Sequence, residues 1–197
     1  MAYQPMTMSN AKPKEEREEN DFYATHPSAT KTFLNEFNKH FNPPQIFWEN
    51  ACGNGHIGKV LEDTFPLAKI HNTDIIQRQF PCKQLDFLTA TKADRPKEFT
   101  YIITNPPFKL AEQFVWKAMD LLNDGEVCAY LLRIQFYESK SRKELFEKFP
   151  PKFIFAHSER QQLSKNGDFD KYTTGTQFFA WFVWEKGYKD DTIIKRI

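Results

Sequence analysis

Asn105-Pro106-Pro107-Phe108 is the segment of this sequence whose residue types, taken in order, can do chemistry. A β-rich run, Tyr101-Ile102-Ile103-Thr104, leads directly into it. Proline cannot continue a central strand, so the chain must leave its sheet at Pro106. Two successive prolines fix two φ angles and make the turn rigid. On such a turn the Asn105 side-chain oxygen and the Pro106 carbonyl can converge as two fixed hydrogen-bond acceptors. That pair suits a planar amine with a delocalised lone pair, such as N6 of adenine. Accepting its two hydrogens draws the nitrogen toward a tetrahedral, nucleophilic form, a gain of positioning and electrostatics. The chemistry requires neither a metal nor a strong base, and the Phe108 ring can stack on an extruded base. Alone, Asn-Pro-Pro is equally an ordinary turn; the strand before it and a glycine turn upstream favour the chemical reading.

Three of the 7 glycines fall in Gly53-Asn54-Gly55-His56-Ile57-Gly58. With Asp74 about 20 residues further on, this matches the dinucleotide fingerprint, although any tight strand-to-helix turn also needs small residues. The charges distinguish the ligands. Glu49, just ahead of the turn, would oppose a pyrophosphate and suits a cation. S-Adenosylmethionine has no phosphate and carries an ammonium and a sulfonium. Gly53 and Gly55 would let the backbone approach its methionine and ribose parts. Asp74 would accept from both ribose hydroxyls, Asp86 from the adenine amine, and Phe87 would pack on that ring.

The elements that position these groups follow from periodicity. Ser28 can cap a helix at about 29–41, where Phe33, Leu34, Phe37 and Phe41 recur at helical spacing until Pro43-Pro44. Ile46-Phe47-Trp48 is a short strand emptying into the glycine turn. A helix near 56–64, a strand near 69–73 ending at Asp74 and a shorter strand ending at Asp86 come next. After strand 101–104, a helix over 110–122 presents Leu110, Phe114, Val115, Ala118, Met119 and Leu122 on one face. Asp124-Gly125 turns the chain into a strand at 126–132. A charged helix at about 140–148 precedes strands near 152–157 and 177–185. Alternating strands and helices predict an α/β, mostly parallel sheet, with ligands at the carboxyl ends of its strands. The polar connection Ser158–Thr176 exceeds the length of a plain loop and is read as either functional or disordered.

The totals set bounds. A chain of 197 residues makes one domain, and 40% hydrophobic residues is ordinary. The 20 phenylalanines are a heavy load, enough for a core and for a base-stacking surface. A formal charge of +1 gives no global field toward nucleic acid, although a local patch suffices. Residues 1–20, with a charge run from Lys12 to Glu19, read as a mobile tail, leaving one domain over 21–197. Three cysteines without a Cys-x-x-Cys pair and five histidines without ligand spacing predict neither a disulfide scaffold nor a metal site. With no apolar leader or membrane span in view, a cytoplasmic location is expected.

Several segments resemble, in order, the motifs of class I N6-adenine methyltransferases of the phage and prophage type. They are Asp21-Phe22-Tyr23-Ala24-Thr25-His26-Pro27, Glu49 to Gly55, Asp86-Phe87, Asn105 to Phe108, and the terminal strand Phe178-Phe179-Ala180-Trp181-Phe182-Val183-Trp184. The resemblance implies a Rossmann-like, mostly parallel seven-stranded sheet with an antiparallel last strand and helices on both faces. It implies that Asn105, Pro106, Pro107 and Phe108 form the catalytic segment. Phe22, Tyr23 and Thr25 would close over S-adenosylmethionine, and Glu49, Asn50, Gly53, Gly55, Asp74, Asp86 and Phe87 would line its pocket. His26 departs from the family pattern, and no stretch of the chain is left for a separate target-recognition domain. DNA is the expected partner. RNA base amines or, with less support, protein glutamine are the alternatives, and a non-catalytic cofactor-binding protein is the reading of another class.

Other residues carry two readings. Arg133 and Arg160 each follow a strand and can meet phosphate or serve as surface charges. Lys140, Arg142, Lys143, Lys148 and Lys152 make a mildly basic stretch, a solvated helix face or a backbone-tracking patch. Pro81-Cys82 is similar to the catalytic dipeptide of cytosine-C5 methyltransferases, but it follows the wrong strand, so Cys82 reads as structural. His56 follows the glycine turn and can either touch the ligand or open a helix, the second reading being favoured.

Overall fold

Residues 23–161, 163–164, 169 and 177–197 are described by a computed structural model. The charge run Lys12–Glu19, Asp21 and Phe22 lie outside the described residues, as does much of the Ser158–Thr176 connection.

The long apolar runs of the sequence form strands buried on both faces. They are β2 (Ile46–Glu49), β5 (Thr100–Thr104), β6 (Val127–Arg133), β7 (Phe153–Ala156) and β9 (Phe179–Glu185). Alternation within each strand feeds two cores. Tyr101, Ile103, Val127, Ala129, Leu131, Trp181 and Val183 face one side of the sheet. Ile102, Cys128, Tyr130, Leu132, Ala180, Phe182 and Trp184 face the other. Helices α1 (Pro27–Phe37) and α2 (His56–Thr64) cover the first face through Phe33, Leu34, Phe37, Ile57, Val60 and Leu61. Helices α3 (Ala111–Leu121) and α4 (Lys143–Lys148) cover the second through Phe114, Val115, Ala118 and Leu145. Phe33 stacks on Trp181 with ring centroids 4.3 Å apart, joining α1 to the middle of the sheet.

Shorter strands complete the set: β1 (Ala24–Thr25), β3 (Lys69–Asp74), β4 (Lys83–Gln84), β8 (Leu163–Ser164) and β10 (Ile193–Arg196). The sheet order is β10-β7-β9-β6-β5-β2-β3-β4. All neighbours are parallel except β9, which runs antiparallel to both β6 and β7. The chain thus has the predicted α/β class, with an antiparallel strand and helices on both faces. The sheet has eight strands rather than seven, because β10 returns parallel to β7 after the antiparallel strand. Its two isoleucines, Ile193 and Ile194, are exposed, so no alternating pattern marks it in the sequence. Strands β1 and β8 form a separate two-stranded ladder.

Helix α1 starts earlier than expected. Pro27 occupies its first turn, and the His26 ring, not Ser28, is the cap, accepting the Ser28 N–H at 3.2 Å. A buried ion pair closes the opposite end of the sheet. Arg95 Nη2 lies 2.6 Å from Glu126 Oε1, which also accepts the Thr100 N–H, while Glu126 Oε2 accepts that of Asn123. No helix among the described residues is long and apolar enough to cross a membrane.

Candidate functional site

From β2 the chain steps outward through β3 to β4, then returns to the other side of β2 as β5. The order therefore reverses between β2 and β5, where open α/β sheets leave a crevice beyond the carboxyl ends of their strands. An open cleft of about 770 Å³, counting solvent at its mouth, occupies that place. It is lined by Tyr23, Thr25, Glu49, Asn50, Asp74 and Asp86, among others, together with Phe87, Asn105 and Pro107. Residues spread over more than eighty positions of sequence converge there.

The glycine turn forms one wall. Gly53 and Gly55 have φ of 54° and 73°, the left-handed region that glycine occupies at no steric cost. At Gly55 a β-carbon would also lie 2.5 Å from the Phe80 ring. The Gly53 N–H donates to Asp74 Oδ2 at 2.8 Å, and the Ile76 N–H to Asp74 Oδ1 at 3.0 Å. Asp74, expected to meet a ribose, thus also fastens the turn to the loop beyond β3. Cys82, on that loop, is a half-buried free thiol.

Glu49 ends β2 at the floor of the cleft and is 1% exposed. Burial pushes its carboxyl well above the ordinary carboxylate range, an effect only partly offset by the Gly58 backbone N–H. Its Oε2 has no hydrogen-bond partner, nor do the buried side-chain oxygens of Asn50, Asn54 and Asn72. Asn50 is oriented by donating its amide to the Tyr130 hydroxyl at 3.0 Å. The absence of a side chain at Gly58 makes this room, since a β-carbon there would sit 2.8 Å from both Glu49 Oε2 and Asn72 Oδ1. Of the residues with unpartnered oxygens, Glu49 and Asn50 line the cleft, and buried acceptors lacking donors there favour a cationic, donor-bearing ligand.

Across the cleft, β5 delivers Asn105. Its Nδ2 donates to the Tyr23 carbonyl at 3.0 Å and to Thr25 Oγ1 at 3.1 Å. With both amide hydrogens engaged, its buried Oδ1 is left as an acceptor without a partner. Pro107 O closes the following turn by accepting the Leu110 N–H at 2.9 Å, which leaves the Pro106 carbonyl as the candidate second acceptor. Tyr23 and Thr25, expected to close over a cofactor, line the cleft and also aim Asn105. The ladder holds them in turn: Ala24 pairs with Ser164 and Thr25 with Leu163.

Phe108 is the middle ring of a column. Tyr23 lies 6.3 Å away with planes 21° apart, Phe179 lies 5.7 Å away, and the Arg133 guanidinium sits 5.0 Å over the Phe108 ring. Phe87 is buried between Trp48 and Phe114, and Asp86 Oδ1 caps the turn that carries it by accepting the Leu88 N–H. Arg142 is held by the Phe136 carbonyl and lies 3.8 Å from Glu112, while Lys140 is exposed on the turn before α4. Arg160 lies over the Phe178 ring at 5.4 Å. Sequence reasoning did not single out Ile75, Arg78, Leu85, Leu88 and Leu110 as cleft residues. Only their nearness to Asp74, Asp86 and Asn105 in the chain could have suggested them. No group of His, Cys, Asp and Glu side chains suited to a metal ion occurs among the described residues.

This chain has the Rossmann-like fold of the class I S-adenosylmethionine-dependent methyltransferases. Among solved structures it is similar to a protein of Listeria monocytogenes assigned to that class. The TM-score is 0.68 at 11% identity, over 93% of this chain and 68% of the other. A protein of Vibrio vulnificus assigned as the modification subunit of a type I restriction enzyme matches with a TM-score of 0.59 at 13% identity. That match covers 91% of this chain and 48% of the other. A protein of Pyrococcus horikoshii assigned as an RNA methyltransferase matches with a TM-score of 0.57 at 11% identity, over 87% and 90%. No protein-family profile and no curated protein matches the sequence.

Proposed function

We propose that this protein is a methyltransferase that uses S-adenosylmethionine and acts on the exocyclic N6 amine of adenine in nucleic acid, DNA before RNA. The observation that carries the reading is Asn105, whose amide nitrogen is held on two acceptors while its buried oxygen is left without a donor. An amine entering the cleft supplies the missing hydrogen. Asn105 Oδ1 and the Pro106 carbonyl then accept both N6 hydrogens and bring the nitrogen lone pair out of conjugation.

Glu49, whose Oε2 has no partner, suits the cationic end of S-adenosylmethionine, and Asp74 and Asp86, which line the same cleft, would accept from its ribose and adenine. That cofactor supplies an electrophilic methyl group on sulfur. The nitrogen lone pair would take that methyl group as the carbon–sulfur bond breaks and its electron pair returns to sulfur, and the surplus proton would leave to water at the cleft mouth. Tyr23, which lines the cleft and stacks on Phe108, would offer its face to a purine.

The preference for DNA rests on the likeness of the motifs to phage-type adenine methyltransferases. RNA is the second reading, favoured by the likeness to a protein assigned as an RNA methyltransferase. Purified protein incubated with methyl-labelled cofactor and separate DNA, RNA and protein pools should label DNA, and digestion should release N6-methyldeoxyadenosine. Label in RNA alone replaces the substrate, methylglutamine replaces the chemistry, and no label in any pool removes the enzymatic reading.

A further inference from the structure

Beside the cleft, large apolar side chains remain in solvent along one edge of the sheet. Of the eight exposed large hydrophobic residues among those described, three are Leu110, Tyr137 and Phe178. Leu110 lies beyond the carboxyl end of β5, Tyr137 beyond that of β6, and Phe178 immediately precedes β9, which pairs with β6. All three therefore stand at the edge where Asn105 leaves the sheet. Phe178 is 53% exposed although its backbone is fixed, because its carbonyl accepts the Ile134 N–H at 3.0 Å. Its neighbour Phe179 turns to the opposite face and stacks on Phe108. Phe178 is thus a half-exposed ring on a rigid strand end, one residue from the column that carries Phe108.

Cations accompany these rings. Arg133, opposite Phe179 in the β6–β9 register, lies over Phe108, and Arg160, a few residues beyond the carboxyl end of β7, lies over Phe178. Guanidinium groups beside exposed aromatic faces make the surface that tracks an unpaired strand. The rings stack on bases whatever their sequence, and the cations take the phosphates between them. A duplex keeps its bases stacked inside and offers Phe178 no face.

Resting on the reading that the cleft methylates a nucleobase, we propose that this edge is a docking platform for single-stranded nucleic acid. The nucleotide next to the target base stacks on Phe178, and Arg133 and Arg160 engage the flanking phosphates.

Labelled oligothymidylate of about 12 nucleotides is the probe, a length within the usual range for such strands. Thymine has no exocyclic amine, so binding is measured apart from methyl transfer. With the full chain, Phe178→Ala should weaken binding roughly tenfold, as loss of one base–aromatic stack does. Phe178→Trp should preserve binding, and its indole emission should be quenched as the oligonucleotide is added. Arg133→Gln and Arg160→Gln should each lower the salt slope of log K by about 0.7.

An affinity unchanged in Phe178→Ala overturns the proposal, as does an indole emission in Phe178→Trp that ignores the oligonucleotide. So does a duplex of equal length bound as tightly as the single strand. The two readings fail separately. If no N6-methyladenine forms while binding still depends on Phe178, the platform stands and the reaction falls. If N6-methyladenine forms while Phe178→Ala binds normally, the reaction stands and the platform falls.

Discussion

The side-chain nitrogen of Asn105 donates to the main-chain oxygen of Tyr23 at 3.0 Å, across 82 positions of sequence. That bond and its companion to Thr25 decide which end of the amide faces the cleft. A free asparagine side chain can present either nitrogen or oxygen; this one can present only oxygen.

Asn105→Ala should therefore abolish methyl transfer while leaving cofactor binding, followed by calorimetry, within a few fold. Thr25→Val removes one of the two bonds that hold the amide and leaves the Tyr23 carbonyl in place. The loss of one such bond, about 1.4 kcal/mol, should lower kcat roughly tenfold. Full turnover in Thr25→Val would show that the hydroxyl plays no part in aiming Asn105.

On the proposed function, Glu49 should make cofactor binding depend on pH. Burial raises its carboxyl, so the free protein holds a proton there that a cationic ligand must displace. Affinity for S-adenosylmethionine should rise with pH until the raised value is passed, then level off. Glu49→Gln should bind weakly and without this dependence. The same shift acts oppositely on the free protein. The folded state favours the protonated carboxyl, so that contribution to stability is present below the unfolded value and is lost as pH rises. Glu49→Gln without ligand should accordingly melt at least as high as the parent at pH 8, and a lower melting point would contradict this account.

The Arg95–Glu126 pair predicts a stability defect without a site defect. Glu126→Gln leaves the Arg95 guanidinium buried beside a neutral group, a change that costs about 3 kcal/mol. Denaturant unfolding should show that loss, whereas the cofactor dissociation constant measured well below the melting temperature should not move.

His157, at the end of β7, is buried with neither ring nitrogen partnered, and burial pushes it down to about 4. The unfolded chain takes up a proton near 6.5 and the folded one only near 4. Stability is therefore lost as pH falls between those values, at about 1.4 kcal/mol per unit and roughly 3 kcal/mol in all. Replacing it with Leu should flatten the stability profile across that window; a slope that survives the substitution assigns the acid sensitivity to another group.

Much of the architecture was legible because the central strands are long apolar runs and the helices keep strict periodicity. Strand β10 escaped because Ile193 and Ile194 are exposed, so burial left no pattern to read. The cap on α1 was misassigned because serine is the commoner capping residue and an imidazole acceptor is easily overlooked. At the site, Glu49 and Asn105 were recognisable as residue types next to turns. What aims them was not. The Asn105 amide is oriented by a backbone carbonyl, which every residue possesses, and the space around Glu49 by a missing β-carbon at Gly58. The carbonyl leaves no signature in the alphabet of side chains, and Gly58, visible as the last glycine of the turn, does not show which carboxylate it makes room for.

The two-residue ladder between β1 and β8 sets a boundary for any exchange of the connection after β7. Leu163 and Ser164 are the rungs on which Thr25 and Ala24 rest, and Thr25 in turn steers the acceptor. A graft that starts beyond Ser164 keeps the amide aimed. One that replaces those two residues risks turning the Asn105 oxygen away from the cleft.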